Sequence, residues 1–76
     1  MTAAQVLRTL KAIPFEPFEM HLVDGRSIVV RHPELVNLIA GGRLAKVTNR
    51  DRLDEVVDVL MIVSLRPLTK LEIRRR

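Results

Sequence analysis

Apolar residues recur along this chain at two periods, and the change of period divides it. Ala3, Val6, Leu7 and Leu10 fall on one face of a helix. Thr2 and Gln5 fit a capping box, in which each side chain satisfies a free N–H at the helix start. Arg8 and Lys11 sit toward the C-terminal end, where cations suit the helix dipole. Pro14 has no N–H to donate and its ring clashes with the preceding turn. The spacing therefore predicts a helix over residues 2–12, stopped by Pro14. A stiff, extended connector, Ile13-Pro14-Phe15-Glu16-Pro17-Phe18, follows, with Phe15 placed to dock the helix.

Beyond the connector the period shortens to two, and strands are expected at about 17–22, 26–31, 35–40, 43–48 and 56–65. The first two form a hairpin around Asp24-Gly25. A two-residue turn would set Met20 against Val29 and mix polar with apolar side chains on each face. A three-residue loop, Val23-Asp24-Gly25, instead pairs Leu22 with Arg26, Met20 with Ile28 and Phe18 with Val30. Hydrophobic pattern fixes register, so the longer loop is expected, with Gly25 in the left-handed region as the bulge residue. Phe18, Met20, Leu22, Ile28 and Val30 then face the core, and Glu19, His21, Ser27, Val29 and Arg31 face away.

Pro33 starts a turn of 3₁₀-helix with Glu34 near its positive end. Residues 35–40 read as a strand, with a short helix as the competing reading. Gly41-Gly42 is a turn. In 43–48, Ala45 and Val47 lie on one side and Leu44, Lys46 and Thr48 on the other. Residues 49–52 form a polar loop. Residues 56–65 are rich in β-branched side chains and read as one long strand, or as two short ones with a tight turn near Asp58. In 68–76, Leu71 and Ile73 alternate with Lys70, Glu72 and Arg74, as in an edge strand or a basic tail. One helix and five short strands in a single domain over 1–67 make a mainly β, α+β fold, a small five-stranded antiparallel barrel. Closure would protect the apolar strand 56–65. Its second face needs a cover, and the helix is the expected one, ahead of a second subunit.

Composition narrows the functional classes. The chain has 76 residues, 47% of them hydrophobic, and no cysteine. A disulfide, a zinc thiolate or a cysteine nucleophile is therefore excluded. No run approaches the roughly 20 apolar residues that span a bilayer, and no secretory signal is visible. A cytoplasmic protein without membrane contact is expected. The net charge of +4 is localised: residues 1–65 hold eight basic and eight acidic side chains, while 66–76 hold Arg66, Lys70, Arg74, Arg75 and Arg76 against Glu72 alone. These five cations are the candidate contacts for nucleic acid or another partner, against the simpler reading of a solvated terminus. No aromatic residue lies near them to stack on bases.

Candidate chemistry is sparse. Asp24, Glu19, Glu34, His21 and His32 are the acid–base residues considered. His21 is expected in solvent opposite Ser27. His32, on the inward parity at a strand end beside Glu34, is expected to cap the local turn or to contact a ligand. Two histidines 11 residues apart match no standard metal spacing. Ser27 and Ser64 lack a nucleophile-elbow pattern. Gly41-Gly42-Arg43 lacks the lysine of a phosphate loop. No catalytic set, metal or cofactor is expected.

Pro14-Phe15-Glu16-Pro17-Phe18, Asp24-Gly25-Arg26, Val30-Arg31-His32-Pro33-Glu34 and, more loosely, residues 57–62 resemble a group of short uncharacterised bacterial proteins. The resemblance covers much of residues 5–65 and implies no activity. Leu53–Asp58 and the tail beyond Pro67 depart from that group. The order of a helix then five strands is also similar to Sm-like and SH3-like small barrels. Sm-like proteins bind RNA as rings, but their loop motifs are absent here, and fold alone does not give function. The expected role is a non-catalytic interaction module that binds a protein partner or itself, with nucleic-acid binding through the basic tail as the alternative.

Overall fold

The computed structural model describes residues 1–49 and 51–75. Helix α1 spans Ala3–Leu10. The strands are β1 (Phe18–Leu22), β2 (Ser27–Val30), β3 (Val36–Ile39), β4 (Leu44–Thr48), β5 (Asp54–Asp58) and β6 (Ile62–Pro67), and a short helix α2 (Lys70–Arg75) ends the described chain. The expected helix 2–12 is shorter in fact. Thr2 is its N-cap, with the reciprocal Thr2–Gln5 bonds in place, and Lys11 closes it. It ends before Pro14 is reached.

The hairpin has the expected register. Phe18 opposes Val30, Met20 opposes Ile28 and His21 opposes Ser27. Leu22 N donates to Arg26 O at 2.8 Å and Gly25 N to Leu22 O at 3.0 Å, with Gly25 at φ +90°. Asp24 accepts from the Arg26 N–H at 3.0 Å, which ties the loop to the second strand. A 3₁₀ turn at Pro33–Leu35 links β2 to β3, as the proline predicts. In β4, Ala45 and Val47, which the alternation sets together on one side, are the buried residues.

The expected five-stranded barrel is corrected. Among the described residues, six strands form two three-stranded antiparallel sheets, β2-β1-β6 and β3-β4-β5, with no closed barrel. Of the two readings of 56–65, one long strand is corrected and the two-strand alternative holds: β5 and β6 are separated by a 3₁₀ turn at Val59–Met61, next to Asp58. Asp58 causes the break. Its Oδ1 accepts from Leu60 N at 2.9 Å, so a local side-chain bond takes a backbone donor that a ladder would need. The chain then changes sheet, β5 pairing with β4 and β6 with β1.

The expected edge strand at 68–76 is also corrected. Thr69 and Glu72 form a second capping box: Glu72 N donates to Thr69 Oγ1, and Thr69 N to Glu72 Oε1, both at 3.1 Å. That local bonding favours a helix over the alternation of Leu71 and Ile73. The two sheets enclose Phe18, Met20, Leu22, Val30, Ile62, Val36, Ala45, Val47, Val57 and Val59, and α1 adds Val6 and Leu10. Phe15 packs against this core at its edge, with its ring centroid 6.0 Å from that of Phe18.

Candidate functional site

Three features of the surface concentrate chemistry. The first is on the outer face of the β2-β1-β6 sheet. Glu19 opposes Arg66 across the β1–β6 ladder, and its side chain is only 5% exposed. Arg66 Nη2 stands 3.3 Å from Glu19 Oε1 and 2.6 Å from Glu72 Oε2. One guanidinium thus bridges a buried carboxylate of the sheet to a carboxylate of α2. The bonds to Arg66 and to the Thr69 N–H hold the Glu72 carboxyl at about 2, and the two carboxylates raise Arg66 above its ordinary value. His21 Nε2 lies 2.9 Å from Glu19 Oε1 without hydrogen-bond geometry. The contact becomes an ion pair only when the imidazole is protonated. His21 is half-exposed, more enclosed than the sequence suggests, because Glu19 shares its face of β1.

This network changes the reading of the basic tail. Arg66 is engaged within the protein, so it is not an open cation. Lys70 and Arg74 are exposed on α2. The side chain of Arg75 and the whole of Arg76 lie outside the described residues. Sequence reasoning missed Glu19 and Glu72 as functional partners of Arg66. Glu19 was legible as outward-facing, but its burial depends on what packs over it. Thr69-x-x-Glu72 was the signal for α2.

His32 and Glu34 are both exposed. The inward placement expected for His32 is corrected. It precedes the 3₁₀ turn in extended conformation and makes no side-chain cap bond; only its carbonyl accepts, from Leu35 N at 3.2 Å. Neither residue lines either of the two cavities described for the surface. Among the described residues, no group of three or more His, Asp or Glu side chains is placed to hold a metal ion, and no helix is long and apolar enough to cross a membrane.

The second feature is an apolar ridge. The expected cover of the segment 56–65 by the helix is corrected: Val57, Val59 and Ile62 are buried, but Leu60 is 76% exposed, Val63 57% and Met61 48%. Val23, 62% exposed, joins them, since its N–H donates to Met61 O at 2.8 Å. The β1–β6 register passes from His21–Ser64 to Leu22–Ile62, so Val63 is the bulged residue and has no partner in β1 to pack beside.

The third is a groove of about 380 Å³ between the two sheets. Arg26, Ser27, Ile28 and Val29 line one wall, Val47, Thr48, Asn49 and Glu55 the other, and Leu35 and Arg31 complete it. Arg26 crosses the groove mouth to Glu55 at 2.6 Å and also pairs with Asp24 at 3.0 Å. Arg31 donates from Nη1 to Ile73 O of α2 at 3.1 Å. Sequence reasoning placed Arg31 correctly on the outer parity but gave it no role, because its anchor is a helix that the alternation concealed. No family model, curated protein or solved structure matches this chain.

Proposed function

We propose that this chain is a cytoplasmic, non-catalytic interaction module that associates with a second copy of itself through the ridge of Val23, Leu60, Met61 and Val63. The observation that carries the reading is the exposure of four large apolar side chains joined through the Val23–Met61 backbone bond. Their exposed surface is on the order of 400 Å², within the range of the largest apolar patch on a monomer, a patch that is often functional. A two-fold contact sets each residue of such a patch against the same patch of the partner. An uncharged ridge suits that geometry, since no like charges meet. The edge of β5, with Asp54, Glu55 and Asp58, would repel its own copy. Two such patches bury only about 800 Å² in all, so the association is weak and concentration-dependent.

Sedimentation velocity from micromolar to millimolar protein tests this reading. A shift from monomer to dimer is expected in the wild type, weakened at least tenfold by Leu60→Asp. Leu60 is so exposed that its replacement leaves the core intact. A strict monomer at millimolar concentration, or equal association of the variant, would refute self-association.

A further inference from the structure

The geometry points to a second binding site, separate from the ridge: the inter-sheet groove takes up an extended peptide as an added strand on β2, with a carboxylate of that peptide placed at Arg31. Strand β2 is the terminal strand of its sheet. Residues of an antiparallel strand alternate in the side to which they turn their N–H and C=O groups. Arg26 turns toward β1, because its carbonyl accepts from Leu22 N at 2.8 Å. Ile28 and Val30 follow it, so Ser27 and Val29 turn their backbone groups to the open edge. Both residues line the groove. Among the described residues, neither makes a backbone hydrogen bond to another element outside the ladder. An exposed edge of this kind is the template for strand addition.

The groove also selects what it pairs. Ile28, Val29, Leu35 and Val47 offer apolar surface for alternate side chains. Its two arginines differ in charge balance. Arg26 is neutralised by Asp24 and Glu55. Arg31 has no carboxylate within ion-pair distance among the described residues, and its enclosed Nη2 has no hydrogen-bond partner. Arg31 lines the groove as an unpaired cation, and a carboxylate seated there pairs with it through charge-assisted hydrogen bonds. The bond from Nη1 to Ile73 O already fixes the orientation of the side chain. Apolar alternation with one carboxylate is therefore the chemistry of the partner segment.

The test uses the full chain labelled with ¹⁵N and three synthetic pentapeptides of alternating valine and threonine. One ends in a free carboxylate, one is amidated, and one is amidated with aspartate at the last position. At least one carboxylate peptide is expected to shift the Ser27 and Val29 amides and to bind at least tenfold more tightly than the neutral amide. Comparison of the two acids tells a terminal from a side-chain carboxylate. Arg31→Gln is expected to remove the preference for acid over amide, and Arg31→Lys to keep part of it. Equal binding of acids and amide to the wild type would overturn the assignment, even if Arg31→Gln failed to fold. So would shifts confined to Val23, Leu60 and Met61, or no binding at millimolar peptide. Ridge association is read separately by sedimentation.

Discussion

Gly42 fixes how α1 sits on the second sheet, and its replacement by alanine tests that placement. Gly42 has φ +88°, and a Cβ there would stand 2.8 Å from the Cβ of Ala3, the first residue of α1. Gly25 and Gly41 also have positive φ, but among the described residues a Cβ on either meets nothing within 4 Å. An L-residue in the left-handed region costs roughly 1–2 kcal/mol. Gly25→Ala and Gly41→Ala should lose about that much. Gly42→Ala carries the same backbone cost plus an overlap with an atom fixed rigidly to a helix. Relief requires α1 to move, and overpacking of this kind costs about 1–3 kcal/mol more. The sum, about 2–5 kcal/mol, is a large share of the ~5 kcal/mol expected for a domain of this size. Urea unfolding followed by far-UV circular dichroism reads all three variants. Ala3→Gly removes the atom that the added Cβ meets, the one within 4 Å among the described residues beyond the turn itself, at a helix cost of up to about 1 kcal/mol. In the Gly42→Ala background it should instead recover about 1–2 kcal/mol, a coupling measured by the double-mutant cycle. Equal losses at the three glycines, with no coupling to Ala3, would refute the packing of α1 over this turn.

Two further outcomes follow from burial and charge. Ile62 is fully buried while its neighbour Val63 is 57% exposed. Ile62→Ala should cost about 3–4 kcal/mol and Val63→Ala within about 0.5 kcal/mol by the same unfolding assay; comparable losses would mean that the bulge at Val63 is misplaced. The Glu72 carboxyl is held at about 2, below its ordinary 4.5. A depressed carboxyl stabilises above its unfolded value, and the contribution is lost as pH falls through the folded one. The Arg66–Glu72 ion pair should thus persist at pH 4.5 and be lost near pH 2, as read by the ¹³C shift of the Glu72 carboxyl. Titration at the ordinary glutamate value would show that Arg66 does not hold it.

Local chemistry was legible in the sequence wherever neighbours alone decide conformation. The Thr2–Gln5 box, the three-residue loop at Val23-Asp24-Gly25 and the Pro33 turn each involve residues within a few positions of one another. The hairpin register was legible because only one pairing makes a face almost wholly apolar. Thr69-x-x-Glu72 was equally local, but the alternation of Leu71 and Ile73 competes with it, and Arg66 settles the contest from β6 by binding Glu72. Asp58 announced an interruption in the apolar run. Whether the chain turned back or changed sheet depended on β1 and β4 being free to receive β6 and β5.

The burial of Glu19, the exposure of Leu60 and Met61, and the unmatched Nη2 of Arg31 were decided only by the tertiary structure. Each depends on distant segments meeting: residues 19 and 66 across one ladder, Val23 and Met61 at its end, Arg31 and Ile73 between strand and helix. Sequence periodicity tells which side of an element a residue occupies. It does not tell what covers that side, because cover comes from the packing of elements remote in the chain. The sequence determined the helix, the hairpin and the part of the core that these two contribute. The packing of two sheets, rather than one closed barrel, determined the groove between them and the ridge beside it.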